Sequence, residues 1–232
     1  MGLQASTRAP GSPFPVPPPE VRAACEARLR EAEGRRAEAL ARQRLAASGV
    51  PERFRCAALA DCDPAVREWA RAALAGGGGG DAPFLLLLGR NGRGKSHQAC
   101  AALMALAPAM GVLYAEAPEF AGACSEDYGR GAAAEVARLA AAPALVLDEL
   151  GKEPATARTA AWVFEVLNRR WKRRRPTVVC SNMDSDGLAA HYARIGEETM
   201  GQSIISRLGS GAVVRLEGRD RRFSAAPGRA EP

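Results

Sequence analysis

The apolar run Phe84-Leu85-Leu86-Leu87-Leu88 passes directly into Gly89-Arg90-Asn91-Gly92-Arg93-Gly94-Lys95-Ser96, and an Ala/Leu-rich stretch, Gln98–Ala107, follows. A buried strand, a glycine-rich turn and a helix start in that order constrain the chain more than any other feature. The glycines permit a backbone curl in which successive N–H groups point inward around a phosphate chain. The helix that starts there sets its positive end at the same place. The pattern G-x-x-x-x-G-K-[ST] in this context implies a nucleoside triphosphate cradle over Gly89, Asn91, Gly92, Arg93, Gly94, Lys95, Ser96 and the adjoining His97. In such a cradle Lys95 reaches the β- and γ-phosphates and Ser96 holds Mg²⁺. The competing reading is a glycine-rich turn with a solvated lysine.

With 232 residues, 47% of them hydrophobic, the chain suffices for one substantial core and a small appendage. No apolar stretch reaches the roughly 18 residues of a membrane span, and no basic-then-apolar leader opens the chain. The six cysteines show no C-x-x-C spacing and there are only two histidines, so metal ligation is poorly supported. Cys100 and Cys180 lie in apolar stretches and are expected to pack as small buried groups. A reduced, cytoplasmic setting is expected. The net charge of +6 points to an anionic partner without identifying it.

Residues 1–19 are polar and then proline-rich, which predicts a disordered or polyproline tail. Residues 20–47 are rich in Ala, Glu, Arg and Leu, with Glu26–Arg30, Glu31–Arg35 and Glu38–Arg42 as i,i+4 pairs. Their apolar stripe is thin, so this helix either lies solvated on the main domain or docks to a partner protein. A short helix is expected from Asp63-Pro64 to about Ala75, and Gly76–Gly80 then reads as a flexible connection. Beyond it, strands are expected at Phe84–Leu88, Val112–Ala115, Ala144–Leu147, Thr177–Cys180 and Ala212–Leu216. Helices are expected between them at about 95–107, 131–142 and 155–173. Alternation of this kind predicts an α/β fold with a five-stranded parallel sheet and helices on both faces, preceded by the N-terminal helix. Residues 223–232 are expected to form a disordered tail.

Ala144-Leu145-Val146-Leu147-Asp148-Glu149 is a second strong signal, a buried strand that brings two carboxylates to the sheet's carboxyl edge. Asp148 suits Mg²⁺, directly or through water, and Glu149 suits the deprotonation of an attacking water. A third strand ends in Ser181-Asn182, where Asn182 can hydrogen-bond the γ-phosphate or that water.

The ordered set resembles the AAA+ ATPases of the DnaC/IstB group, bacterial replicative helicase loaders and transposition helper proteins. The segments carrying it are Ser48–Phe54, Gly89–His97, Leu145–Gly151, Asn168–Asn182, Ser203–Gly211 and Gly218–Arg222, which together span about residues 48–222. The resemblance implies ATP and Mg²⁺ as cofactors and self-association. Arg207, in Ile205-Ser206-Arg207-Leu208, matches the family's arginine finger, which reaches the γ-phosphate held by a neighbouring subunit. Arg222 matches the arginine of the family's Gly-x-Ser-Tyr-Arg, a candidate second sensor, although Asp220 and Arg221 replace Ser and Tyr here. The implied partners are the replicative DNA helicase, or alternatively a transposase, together with single-stranded DNA. The segment 20–47 is shorter than the family's usual N-terminal domain.

Arg169-Arg170-Trp171-Lys172-Arg173-Arg174-Arg175 packs six basic residues around one tryptophan. The stripe Ala160, Val163, Phe164, Leu167 and Trp171 places Trp171 toward the core. Arg169, Arg170, Lys172 and Arg173 then either contact DNA phosphates or form a solvated helix end suited to the C-terminal dipole. Phe120 and Tyr128 occupy the region of the family's DNA-contacting insertion, where stacking on unpaired bases is the expected role.

Overall fold

The computed structural model describes residues 17–76, 83–126, 130–193 and 198–218. The chain divides into two units, residues 1–40 and 41–232. Helix α1 (Pro19–Ala46) runs from the first into the second. In the first unit the ion pairs Glu26–Arg30 and Glu31–Arg35 form as the spacing predicts, at 3.5 and 2.8 Å. Val21 and Leu29 are exposed there.

The second unit continues with α2 (Pro64–Ala75), β1 (Phe84–Leu88), α3 (Lys95–Leu106), β2 (Val112–Glu116), α4 (Ala117–Ser125) and α5 (Ala132–Ala141). β3 (Ala144–Leu150), α6 (Ala157–Lys172), β4 (Thr177–Ser181), α7 (Ser185–Ala193), α8 (Glu198–Gly209) and β5 (Ala212–Arg215) complete it. The five strands form one sheet in the order β2-β3-β4-β1-β5, every neighbouring pair parallel. Parallel strands need crossovers, and the crossover helices cover both faces. The unbroken burial of Phe84–Leu88 follows from this. Leu85 and Leu87 enter a core with Val146, Val178, Cys180 and helices α2 and α3. Phe84, Leu86 and Leu88 point the other way, into a core with Leu145, Leu147, Val179 and helices α4 to α8.

Helix starts follow the local chemistry. Asp63 caps α2 by accepting from the Ala65 N–H at 2.9 Å, with Pro64 in the first turn. Thr156 caps α6 through the Thr159 N–H at 3.1 Å. The segment after α1 guards the free edge of β2, since the Tyr114 N–H donates to the Ser48 carbonyl at 2.7 Å. Gly49 makes this approach possible: its φ is +76°, and a Cβ there would lie 2.9 Å from the Tyr114 carbonyl oxygen.

Two expectations about α6 are corrected. Trp171 is 43% exposed rather than part of the core, and Arg170 is 0% exposed. The buried face runs through Thr159, Ala160, Val163, Val166, Leu167 and Arg170, which rotates the stripe one position away from Trp171. Arg170 donates to Thr177 Oγ1 at 2.8 Å and to the carbonyls of Leu139, Ala142 and Pro176 at 2.9, 2.6 and 2.7 Å. Leu139 and Ala142 close the C-terminal end of α5, where helix carbonyls lack intrahelical partners. A long side chain with five donors satisfies them better than indole does.

Candidate nucleotide-binding site

β1 delivers the phosphate loop to the carboxyl edge of the sheet between β4 and β5. Gly89 has φ +147°, and a Cβ on it would lie 2.5 Å from the Leu216 carbonyl oxygen, so only glycine fits this departure from the strand. Gly92 and Gly94 also take positive φ, and Gly94 is the N-cap of α3. The helix therefore starts without a capping side chain, leaving its first N–H groups directed at the cavity that the loop surrounds. That cavity, of about 310 Å³, is lined by Asn91, Gly92, Gly94, Lys95, Ser96 and His97 of the loop and by Asp148, Glu149, Asn182 and Phe54.

Lys95 is buried at 7% exposure, and its ammonium donates to the carbonyls of Gly89 (2.6 Å) and Arg90 (2.9 Å) and to Asn182 Oδ1 (2.7 Å). Lys95 and Asn182, 87 residues apart in sequence, thus meet as the strand order predicts.

β3 supplies the carboxylates. Asp148 is 2% exposed; its Oδ1 accepts from the Glu149 N–H at 2.8 Å and its Oδ2 from the Tyr114 hydroxyl at 2.9 Å. Register places Asp148 beside Glu116 of β2. The pairing of β3 with β4 shifts between Leu147 and Leu150, and Glu149 takes φ +58° within the shift. This conformation is rare for a residue with a side chain, and Asp148 and Glu149 both line the one cavity. Glu149 Oε1 pairs with Lys152 Nζ at 2.5 Å.

The electrostatics follow from burial and crowding. Burial, offset by the Tyr114 hydrogen bond and reinforced by the charges of Glu149, Glu119 and Asp148, holds the Glu116 carboxyl above its usual range. Burial and the Asp148 charge raise the Tyr114 hydroxyl, so it stays a donor. Burial, then Asp148, pushes the Cys100 thiol up to about 12, and burial raises Cys180 as well; both are inert packing groups, as expected. For Mg²⁺ the donor set is one hydroxyl, Ser96, and one buried carboxylate, Asp148, beside room for phosphate oxygens and water. That fits an ion which keeps much of its shell from non-protein oxygens.

Several expected site residues lie elsewhere. Arg207, on α8, is not among the described residues that line the cavity. Its Nε donates to Asn168 Oδ1 at 3.0 Å, one terminal nitrogen donates to the Ser203 carbonyl at 2.9 Å, and the guanidinium lies over the Phe164 ring at 4.6 Å. The Arg93 side chain turns to a second cleft, away from the nucleotide cavity. Phe120 is 2% exposed, on α4 in the core with Leu147 and Leu150, so it cannot stack on bases. Arg170 is withdrawn from the DNA set for the reason given above. Arg169 is exposed and pairs with Glu165 at 2.7 Å, and Lys172 and Arg173 are exposed. Tyr128 and Arg222 lie outside the described residues.

Phe54, Tyr114, Glu116 and Lys152 were not anticipated as site residues. Phe54 meets His97 edge-on at 6.4 Å and has the Arg53 guanidinium over its ring at 4.6 Å. For Tyr114 and Glu116 the available signal was their place at the carboxyl end of a strand next to β3.

A parallel sheet in this order, with a phosphate loop after β1, an acidic pair on β3 and a polar residue after β4, defines a P-loop, ATP-binding protein of AAA+ fold. The chain belongs to the IstB-like ATP binding protein family, whose sequence profile matches residues 80–224. Among solved structures it is similar to DnaI, with TM-score 0.63 and 23% identity over 73% of this chain and 96% of that one. It is also similar to the DnaC helicase loader, with TM-score 0.55 and 18% identity over 72% and 100%. A third is AMPPCP-bound DnaA from Aquifex aeolicus, with TM-score 0.57 and 20% identity over 76% of this chain and 54% of that one. At these identities the likeness carries the fold. Comparison with curated proteins gives no match.

Proposed function

We propose that this chain is a Mg²⁺-dependent ATPase that loads the replicative DNA helicase onto single-stranded DNA. The observation that supports the chemistry best is the meeting of Lys95, Asn182, Asp148 and Glu149 around one cavity headed by the α3 N-terminus. The loop N–H groups and Lys95 bind the β- and γ-phosphates and draw off negative charge. Asn182 orients the γ-phosphate or the attacking water. Glu149 takes a proton from that water as its oxygen bonds to the γ-phosphorus and the bond to the β-phosphate oxygen breaks, leaving ADP and inorganic phosphate. Ser96 and Asp148 would hold Mg²⁺, which when bound would supply charge neutralisation for the phosphates. Tyr114 fixes the Asp148 carboxylate by donating to its Oδ2. Arg207 of a neighbouring copy supplies the last positive charge, so turnover depends on self-association.

The loader reading draws support from the similarity to DnaI and to the DnaC helicase loader. Exposed Lys172 and Arg173 suit phosphate contact with single-stranded DNA. The alternative, a helper that assembles on DNA and stimulates a transposase, is favoured by the IstB-like profile match. The two share the ATPase core and differ in partner. The test is size-exclusion chromatography of the protein with the replicative helicase of its own source, ATP and Mg²⁺. The loader reading expects co-migration that is lost on deleting residues 20–47. Intact ATP-dependent DNA binding without a helicase complex would transfer the assignment to the transposition helper.

A further inference from the structure

A second cleft, of about 350 Å³, opens between the phosphate loop and the end of β5, and nothing above gives it a role. Arg90 and Arg93 from the loop and Arg215 from β5 line it, with Asn182, Asp184 and Glu217. Its floor is rigid backbone: Leu216 N–H donates to the Leu88 carbonyl at 2.8 Å, and Gly89 lies against the Leu216 carbonyl with no space for a Cβ. One terminal nitrogen of Arg93 is buried here without a hydrogen-bond partner among the described residues. A buried guanidinium N–H in that condition is costly, and an anionic oxygen satisfies it best. Arg93 stands between Gly92 and Gly94, so its backbone belongs to the nucleotide cradle while its side chain serves the neighbouring cleft.

Asn182 lines both spaces. Lys95 donates to Asn182 and to the carbonyls of Gly89 and Arg90, which line the second cleft. Asn182, which the two spaces share, and Gly89 and Arg90 of the second cleft are therefore all tied to Lys95.

We propose that this cleft is a second phosphate site, one that receives the inorganic phosphate cleaved from the nucleotide before it reaches solvent. The proposal rests on the ATPase reading and adds to it a route for the product. Three guanidiniums attract a phosphate dianion, and two carboxylates keep it from being held tightly. Asp184 is fixed at the start of α7, its Oδ1 accepting from the Gly187 N–H at 2.7 Å, and it keeps its charge beside that of Glu217. Affinity on the order of millimolar suits a product that must leave.

The experiment titrates inorganic phosphate into the full chain loaded with ADP and Mg²⁺, followed by phosphorus NMR, for the wild type and Arg215→Ala. ADP affinity is measured separately in both. Arg215 is outside the nucleotide cavity, so ADP affinity is expected to be unchanged in Arg215→Ala while phosphate binding weakens about fivefold or more. An oligothymidylate arm distinguishes free phosphate from a nucleic-acid phosphodiester. Absent phosphate binding with ADP bound, or binding that Arg215→Ala leaves unaltered, overturns the proposal. Loss confined to the oligonucleotide arm overturns it too, in favour of a nucleic-acid contact. Failure of the wild type to bind ADP would instead strike the nucleotide reading and remove the source of the phosphate.

Discussion

At single residues, neighbouring side chains in this fold have opposite fates that charge alone does not foretell. Arg170 is wholly buried and Trp171 is exposed because four oxygens around the α5 end and β4 match a guanidinium. Burial, then repulsion from Arg175, lowers the Arg170 pKa to about 9, so it stays charged near neutral pH. Arg170→Ala strips donors from two buried carbonyls and one part-buried carbonyl and is expected to cost about 3–5 kcal/mol, read as a lower denaturant midpoint. Arg170→Lys recovers only part, since one ammonium cannot span the same oxygens. Glu116 gives a pH signature. Its folded pKa is raised, so its ionisation destabilises the fold, and stability falls as pH rises from the unfolded value of about 4.3 through the folded one. Glu116→Gln is expected to have a higher Tm than the wild type at neutral pH, with the difference vanishing below about pH 4. A constant difference across that range would mean that the carboxylate charge is not the cause.

Among the elements, the sheet and the phosphate loop were legible because each rests on local pattern. Phe84–Leu88, the glycine spacing after it and the Asp63-Pro64 start of α2 carry their structure in adjacent residues. The helices α4, α7 and α8 were not legible. Ala117-Pro118 looks like a strand-ending turn, and Gly122, Gly187 and Gly201 dilute the helical pattern. Packing decides: Phe120, Leu188, Tyr192, Ile204 and Leu208 share one core. Likewise Asp148, Glu149, Asn182 and Lys95 were readable as motif residues, whereas Tyr114 and Glu116 join them only through the β2–β3 register. Helix α8 presents Arg207 on α6 beside Phe164 and Asn168, outside its own chain's nucleotide cavity. If it acts in trans, Arg207→Ala binds ATP normally and loses turnover, and mixing it with Lys95→Ala subunits restores activity. Mixtures as inactive as their components would exclude a finger acting in trans.

For the whole molecule, the two proposed functions share one nucleotide-binding unit and differ in the partner. No helix among the described residues is long and apolar enough to cross a membrane. Val21 and Leu29 of the N-terminal unit are exposed, while the second unit carries every described residue of the nucleotide cavity. Everything proposed for loading or transposition requires that cavity to bind and cleave ATP. The most direct measurement compares ATP affinity and turnover, with Mg²⁺, in the wild type, Lys95→Ala and Glu149→Gln. The account predicts that Lys95→Ala loses ATP binding, and that Glu149→Gln keeps it while turnover drops by about a hundredfold or more. Undiminished turnover in Glu149→Gln, or unchanged affinity in Lys95→Ala, would contradict it.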